Sequence, residues 1–329
     1  MSVLVTGGAG YIGSHTVRQL RARGDDVVVI DSLRTGHREA VGDAPLVVGT
    51  VSDEVLVSRV LREHEVTAII HFAALKNPGE SMVDPGGYFR ENVGGTLTLL
   101  DAACDAGIDR IVFSSSCSVY GTPTELPVDE SAPLRPESPY GQSKLMGEQM
   151  LEWFDRCRNL RSISLRYFNA SGASATTAIG EDWDVSQNLI PLVMKGTLGR
   201  GPAVKVFGTD YPTPDGTAIR DYVHVDDLAD AHLRALDHLA SGGATAAVNL
   251  GTGNGSSVQE ILDATERISG RPVPREYTDR RPGDPVAVYA DNAYARDLLG
   301  WAPRAGLEQI IASAWNWHSH HPDGFTRAA

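Results

Sequence analysis

Near the amino terminus, Gly7-Gly8-Ala9-Gly10-Tyr11-Ile12-Gly13 follows a short apolar run, Val3-Leu4-Val5, and opens a stretch of helix-forming composition from Tyr11 to Arg23 that stops at Gly24. A strand, a glycine turn and a helix in that order predict the start of a βαβ unit, since parallel strands need a crossover. Glycine there permits positive φ. It also lets backbone N–H groups approach a pyrophosphate lying on the helix N-terminus, where the dipole favours negative charge. The spacing is G-x-x-G-x-x-G, a variant of the G-x-G-x-x-G dinucleotide fingerprint. The next apolar run, Val27-Val28-Val29-Ile30, ends in Asp31, eighteen residues after Gly13. A carboxylate at that strand end accepts hydrogen bonds from ribose hydroxyls and repels a 2′-phosphate. The expected cofactor is therefore NAD rather than NADP, with Arg34 the one nearby residue that argues the other way.

Further apolar strands are expected at Leu46–Val48, Ala68–Phe72, Arg110–Phe113 and Ser162–Leu165, with helices between them at Glu54–Glu63, Gly87–Ala106 and Tyr140–Arg156. That alternation predicts an α/β fold, a doubly wound parallel Rossmann sheet whose ligands lie at the carboxyl ends of the strands. The segments at those ends are chemically unusual: Phe72-Ala73-Ala74-Leu75-Lys76, Ser114 to Gly121, and Arg166-Tyr167-Phe168-Asn169. Beyond Asn169 the elements become shorter and more mixed. Helices are expected at Gln187–Leu198, Val225–Ala240, Val258–Ile268, Ala293–Leu299 and Leu307–His318, and strands at Val204–Phe207 and Ala247–Leu250. The chain thus divides into a nucleotide-binding domain over residues 1–170 and a smaller C-terminal α/β substrate-binding lobe over 171–329, some segments of which could rejoin the main sheet.

Composition narrows the function classes. A net charge of −13 on 329 residues disfavours a nucleic-acid or anionic-membrane surface, so an anionic ligand must be held by local cations. There is no run of eighteen apolar residues to span a bilayer and no basic, apolar leader before the first strand, so no membrane partner and a cytoplasmic location are expected. Cys104, Cys117 and Cys157 are widely spaced and odd in number, against both a disulfide framework and a zinc site. The terminal cluster His318, His320 and His321 lacks cysteine or carboxylate partners and reads as a surface helix end, with no metal expected.

Tyr140-Gly141-Gln142-Ser143-Lys144 carries the chemistry. Positions i and i+4 share a helix face, so Tyr140 and Lys144 can address one substrate. A tyrosine titrating near 10 becomes a base at neutral pH only if its phenolate is favoured by about 4 kcal/mol, and a nearby ammonium and a cationic nicotinamide are suitable sources.

Taken together, GGAGYIG, SSSCSVYG and YGQSK resemble the extended short-chain dehydrogenase/reductase superfamily. The segments Gly208 to Thr217 (GTDYPTPDGT), Ile219 to Val225 (IRDYVHV) and Arg280 to Asp284 (RRPGD) resemble the UDP-glucose 4-epimerases within it, over essentially the whole chain. The resemblance implies a homodimer, and interconversion of UDP-glucose and UDP-galactose through a 4-keto sugar. Tyr140 would take the 4-hydroxyl proton, Ser116 would hold the same oxygen, and Lys144 would hold the nicotinamide ribose and lower the tyrosine pKa. Around NAD the resemblance puts Gly7, Gly10, Tyr11, Ile12, Gly13, Asp31, Ser32, Thr50 and Val51 on the adenosine and diphosphate side. Phe72, Ala73, Ala74, Lys76, Asn92, Ser114 and Phe168 join Tyr140 and Lys144 on the nicotinamide side. For the UDP-hexose it implies Lys76, Ser116, Ser118, Tyr140, Asn169, Asn188 and Leu189, together with Lys205, Val206, Phe207, Arg220, Arg281, Asp284 and Val288. Arginine suits such a place because a guanidinium binds diphosphate oxygens bidentately.

Three positions depart from the family pattern. Thr50 lies where an aspartate often contacts adenine, and Cys117 and Ser118 replace the usual alanine and threonine. Val288 stands where some members carry a tyrosine that closes the pocket around the sugar C2 substituent, which extends the expected substrates to UDP-N-acetylhexosamines. Alternatives on the same fold are a uronate 4-epimerase or decarboxylase, a dehydratase, which would want added carboxylates beside Ser116, and a non-enzymatic NAD-responsive regulator.

Overall fold

Val3, Leu4 and Val5 have no exposed surface, because the strand they form, β1 (Ser2–Thr6), lies inside a seven-stranded sheet covered on both faces. The computed structural model describes residues 1–325 apart from Thr177 and Pro282, so Pro282 of the RRPGD segment lies outside the described residues. The remaining strands of the sheet are β2 (Asp26–Asp31), β3 (Leu46–Val48), β4 (Ala68–His71), β5 (Arg110–Ser114), β6 (Arg161–Tyr167) and β7 (Ala246–Leu250). All pair in parallel in the order β7-β6-β5-β4-β1-β2-β3. The chain winds outward from β1 to β3, then crosses to β4 and winds the other way. The direction therefore reverses between β1 and β4, where Thr6 is in register with both Ile30 and His71, and the crevice for a dinucleotide opens there.

Strand side chains alternate between two apolar layers. Val3, Val5, Val27, Val29, Ala68 and Ile70 pack with the helices α1 (Tyr11–Arg23) and, from the second half of the chain, Val225–Ala240. Leu4, Val28, Ile30, Ile69 and Ile111 face the opposite layer, formed by α2 (Glu54–Glu63), α3 (Gly95–Asp105) and α4 (Pro139–Arg158). Helix α1 begins at an extended Gly10 and ends at Gly24 with φ of 91°, a left-handed stop that glycine adopts without strain. Helix α4 begins at Ser138, whose hydroxyl accepts from the Gly141 N–H, with Pro139 in its first turn. A third apolar cluster unites Ile190, Val193 and Met194 with Ile261, Leu262, Ile310 and Ile311, away from the main sheet.

The expected helices at Val225–Ala240 and Ala293–Leu299 have those ends in the structure. The expected helix Gly87–Ala106 is instead three pieces: Pro85–Tyr88, a π turn at Phe89–Gly94, and α3. The cause is packing, since a Cβ on Gly95 would stand 3.0 Å from Val51, and Asn92 in the wide turn bonds both the N–H and the carbonyl of Leu75. His318 is not at the surface. It is 3% exposed and stacks on Trp183 at 4.8 Å between centroids, and burial lowers its pKa to about 3. Among the described residues, no group of three or more metal-ligating side chains converges and no helix is long and apolar enough to cross a membrane.

Candidate active site

The glycine turn is folded to admit a ligand's phosphates. Gly7 has φ of 70°, and a Cβ there would stand 2.6 Å from the Ala73 nitrogen. A Cβ on Gly13 would lie 2.3 Å from the Gly7 carbonyl oxygen. No side chain caps the α1 N-terminus and no acid occupies its first turn, so its leading N–H groups are left for an anion. Asp31, 8% exposed, braces this turn: its carboxylate accepts from the Ala9 N–H at 2.9 Å and the Leu33 N–H at 2.8 Å. Burial raises its pKa against those two bonds. Arg34 is drawn toward Glu80, 3.6 Å away.

Helix α4 brings Tyr140 and Lys144 to the end of β5. Tyr140 and Lys144 share its inner face and are 9% and 4% exposed. The Lys144 ammonium donates to the Ser114 carbonyl at 2.7 Å and sits 4.9 Å from the centre of the Phe113 ring. Ser116, 7% exposed, holds the loop after β5 by accepting from the Ser118 N–H at 3.2 Å. Burial is the main influence on both titrating groups. It pushes Tyr140 well above the ordinary tyrosine range, with Tyr167 adding to the rise and a hydrogen bond with Ser116 opposing it. It lowers Lys144 to about 7, with Glu148 opposing. Tyr140 is thus a phenol in the chain alone, and its phenolate requires added positive charge in the pocket.

A single cavity of about 930 Å³ runs from the glycine turn past Asp31, Ser32, Thr50 and Val51, then Phe72 to Lys76. It continues to Ser114, Ser116, Ser118, Tyr140, Lys144, Phe168, Asn169 and Asn188. Asn92 lies behind this wall, 4% exposed, bonding Ser143 at 3.0 Å and so tying the 72–76 segment to α4. Leu189, Lys205, Val206, Phe207, Arg220, Arg281, Asp284 and Val288 do not line the cavity among the described residues. Alternation along Val204–Phe207 explains part of this: Val204 and Val206 enter the third apolar cluster, and Lys205 and Phe207 point the other way. The Arg281 guanidinium lies 3.7 Å from the centre of the Phe207 ring, and Arg220 pairs with Asp284. Val288 pairs with Arg220 across two short strands and packs beside Cys117 and Phe168. Arg220, Asp284 and Val288 thus stand together outside the cavity.

The sequence model of the NAD dependent epimerase/dehydratase family matches residues 3–251. A UDP-glucose 4-epimerase of Rhizobium meliloti (strain 1021) is 50% identical over 323 residues, 98% of this chain and 98% of that protein. The chain belongs to the NAD dependent epimerase/dehydratase family, on its UDP-glucose 4-epimerase branch. The crystal structure of UDP-glucose 4-epimerase from Brucella ovis in complex with NAD matches with a TM-score of 0.94 at 46% identity, over 96% of this chain and 97% of that one. That from Bifidobacterium longum, in complex with NAD+ and UDP, matches with a TM-score of 0.92 at 40% identity, over 99% of this chain and all of that one.

The cofactor of this epimerase family is NAD, and the residues present fit it: a turn that excludes a side chain at Gly7 and Gly13, an uncapped helix N-terminus, and a buried carboxylate, Asp31, with the nearby Arg34 drawn to Glu80. Some cavity residues lay outside the expected site, Tyr167 among them although its strand-end segment stood out, and others carried no sequence signal. Tyr167 hydrogen-bonds the Ser114 hydroxyl. His37 bonds Asp182 at 2.8 Å across the cavity mouth, and buried Glu181 accepts from Asn188 at 2.9 Å. Only the acidic pair Glu181-Asp182, directly after the small-residue loop, could have drawn attention. Replacing Gly13 with alanine is expected to displace the turn and weaken NAD binding by about tenfold or more, about 1.4 kcal/mol. Nucleotide released from the denatured protein measures this, and unchanged content would contradict the cradle.

Proposed function

We infer that the chain interconverts UDP-glucose and UDP-galactose by oxidising and re-reducing C4 of the hexose. The observation that carries this reading is the convergence of Tyr140, Ser116 and Lys144 on the cavity that also contains the glycine turn, in a chain whose full-length relatives are UDP-glucose 4-epimerases. When bound, NAD supplies a reversible two-electron oxidation at C4. Everything else falls to the chain. Tyr140 accepts the 4-hydroxyl proton and later returns it, so the pocket ends each turnover in the protonation state it began with. Ser116 donates to the same oxygen and steadies the charge that develops there. Lys144, fixed to the Ser114 carbonyl, contributes the positive charge that a phenolate needs in a buried site. Asn169 and Asn188 line the cavity, which supports a place for them beside the sugar nucleotide, and Arg220 and Arg281 offer the cations that an acidic protein needs for a diphosphate.

The reading extends to two finer points. Val288, standing outside the cavity where some relatives carry a tyrosine, supports turnover of UDP-N-acetylhexosamines as well, since it adds no bulk toward the sugar. A homodimer is supported by the outward faces of α3 and α4, where Leu97 and Trp153 are 43% and 60% exposed. Leu145, Met150 and Leu151 face inward, so contacts on α4 would fall to residues such as Trp153.

Tyr140→Phe is expected to lower kcat for UDP-galactose by about 10²–10⁴-fold, with NAD still bound; conversion assayed without added NAD tests this, and a variant within a few-fold of the parent would contradict the assignment. Val288→Tyr is expected to abolish conversion of UDP-N-acetylglucosamine and spare UDP-galactose. No turnover of the N-acetylated substrate by the parent, even at high enzyme concentration, would remove the case for a broad pocket.

A further inference from the structure

Below Lys144, one helical turn along α4, lies a carboxylate that the mechanism above does not use. Glu148 is 5% exposed. Its carboxylate accepts from the Ser115 hydroxyl and, through a forked contact with the shortest arm at 2.6 Å, from the Arg166 guanidinium of β6. Arg166, also 5% exposed, extends to the Tyr120 hydroxyl at 2.9 Å, and Tyr120 donates to Asn249 of β7 at 2.7 Å. The Asn249 N–H donates in turn to Glu130 at 2.7 Å. A buried polar chain thus crosses β7, β6 and the end of β5.

We propose that Glu148 is a positioning residue for the epimerisation, holding the two sides of the catalytic centre at once, the serine-bearing strand end by a hydrogen bond and the Lys144 ammonium by its charge. The proposal rests on the function inferred above. Ser115 stands between Ser114, whose carbonyl receives Lys144, and Ser116, which touches the reacting oxygen. A contact that fixes the Ser115 side chain therefore fixes both neighbours. Few other groups near Lys144 can balance its charge. From its own helix there is Tyr140, a phenol. From β4 there is His71, neutral because burial takes it to about 3 and because Lys144 opposes its charge. Beyond β5 lie Tyr167, raised to about 12, and Cys117, raised to about 12. In the chain without nucleotide none of these is an anion near neutral pH, and Glu148 is the carboxylate that acts on Lys144 whether or not Tyr140 is ionised. Glu148 supplies the opposing charge to an ammonium that burial alone would discharge.

The sign is fixed. Removing the Glu148 charge takes away the influence that favours the ammonium and leaves Arg166 unpaired, and both push the Lys144 pKa down. The catalytic form, with Lys144 protonated, is then lost at lower pH, and the alkaline limb of the kcat profile moves toward acid. The chain has only four lysines, so ¹³Cε-lysine labelling of the NAD-bound protein resolves Lys144, identified by loss of its resonance in Lys144→Met. In Glu148→Gln the titration midpoint of that resonance should fall by about one pH unit. Ser115→Ala, which keeps the charge and removes the hydrogen bond, should lower kcat about fivefold or more with the midpoint unmoved. Because the resonance is read without turnover, its result does not depend on whether UDP-galactose is converted. An unmoved midpoint in Glu148→Gln overturns the electrostatic role, and should that variant fail to fold, an undiminished kcat in Ser115→Ala overturns the positioning role.

Discussion

The bond from the Lys144 ammonium to the Ser114 carbonyl, 2.7 Å long and buried, is the contact on which the rest of the site depends. It ties α4, which carries Tyr140, to the end of β5, which carries Ser116. Burying an ammonium is unfavourable unless the surroundings compensate. The compensation here is unusually local: one carbonyl, one aromatic face and one carboxylate a helical turn away. The result is a lysine poised near neutrality rather than one fixed as a permanent cation. A catalytic centre built on such a group responds to each charge that enters it.

The parallel sheet makes that contact possible. Because β1 and β4 diverge in winding direction, the glycine turn after β1 and the Phe72–Lys76 segment after β4 meet at one crevice, and β5 and α4 close it from the side. The turn itself tolerates no side chain at Gly7 or Gly13, so its shape belongs to the fold and is present before a ligand arrives. The chain as a whole carries a net charge of −13. Its Arg220 is paired with Asp284 and its Arg281 is laid over Phe207. Each guanidinium is thereby held in place by a partner within the chain.

What the sequence made legible follows from the range of the forces involved. The glycine turn, Asp31, the apolar strands and the Tyr140/Lys144 pair are local patterns with one physical solution, and helices such as Val225–Ala240 declare their own ends by composition. The short strands Ile219–Arg220, Ser256–Ser257 and Ala287–Val288 were not foreseen, because two-residue strands exist only through partners far along the chain. The π turn at Phe89–Gly94 depends on the fit of Gly95 against Val51. Burial of His318 depends on Trp183, which no periodicity near residue 318 encodes. Val206 came forward as a ligand contact from resemblance, while simple alternation already turned its side chain toward the core.

The central claim is that C4 of the hexose is oxidised and reduced within one pocket. Conversion of UDP-galactose deuterated at C4, in ordinary water and without added nucleotide, tests it most directly. The account predicts UDP-glucose that retains the deuterium at C4, because the hydrogen leaves and returns without meeting solvent while only the hydroxyl proton passes through Tyr140. Product carrying solvent hydrogen at C4 would contradict it, since the carbon-bound hydrogen would then have left as a proton.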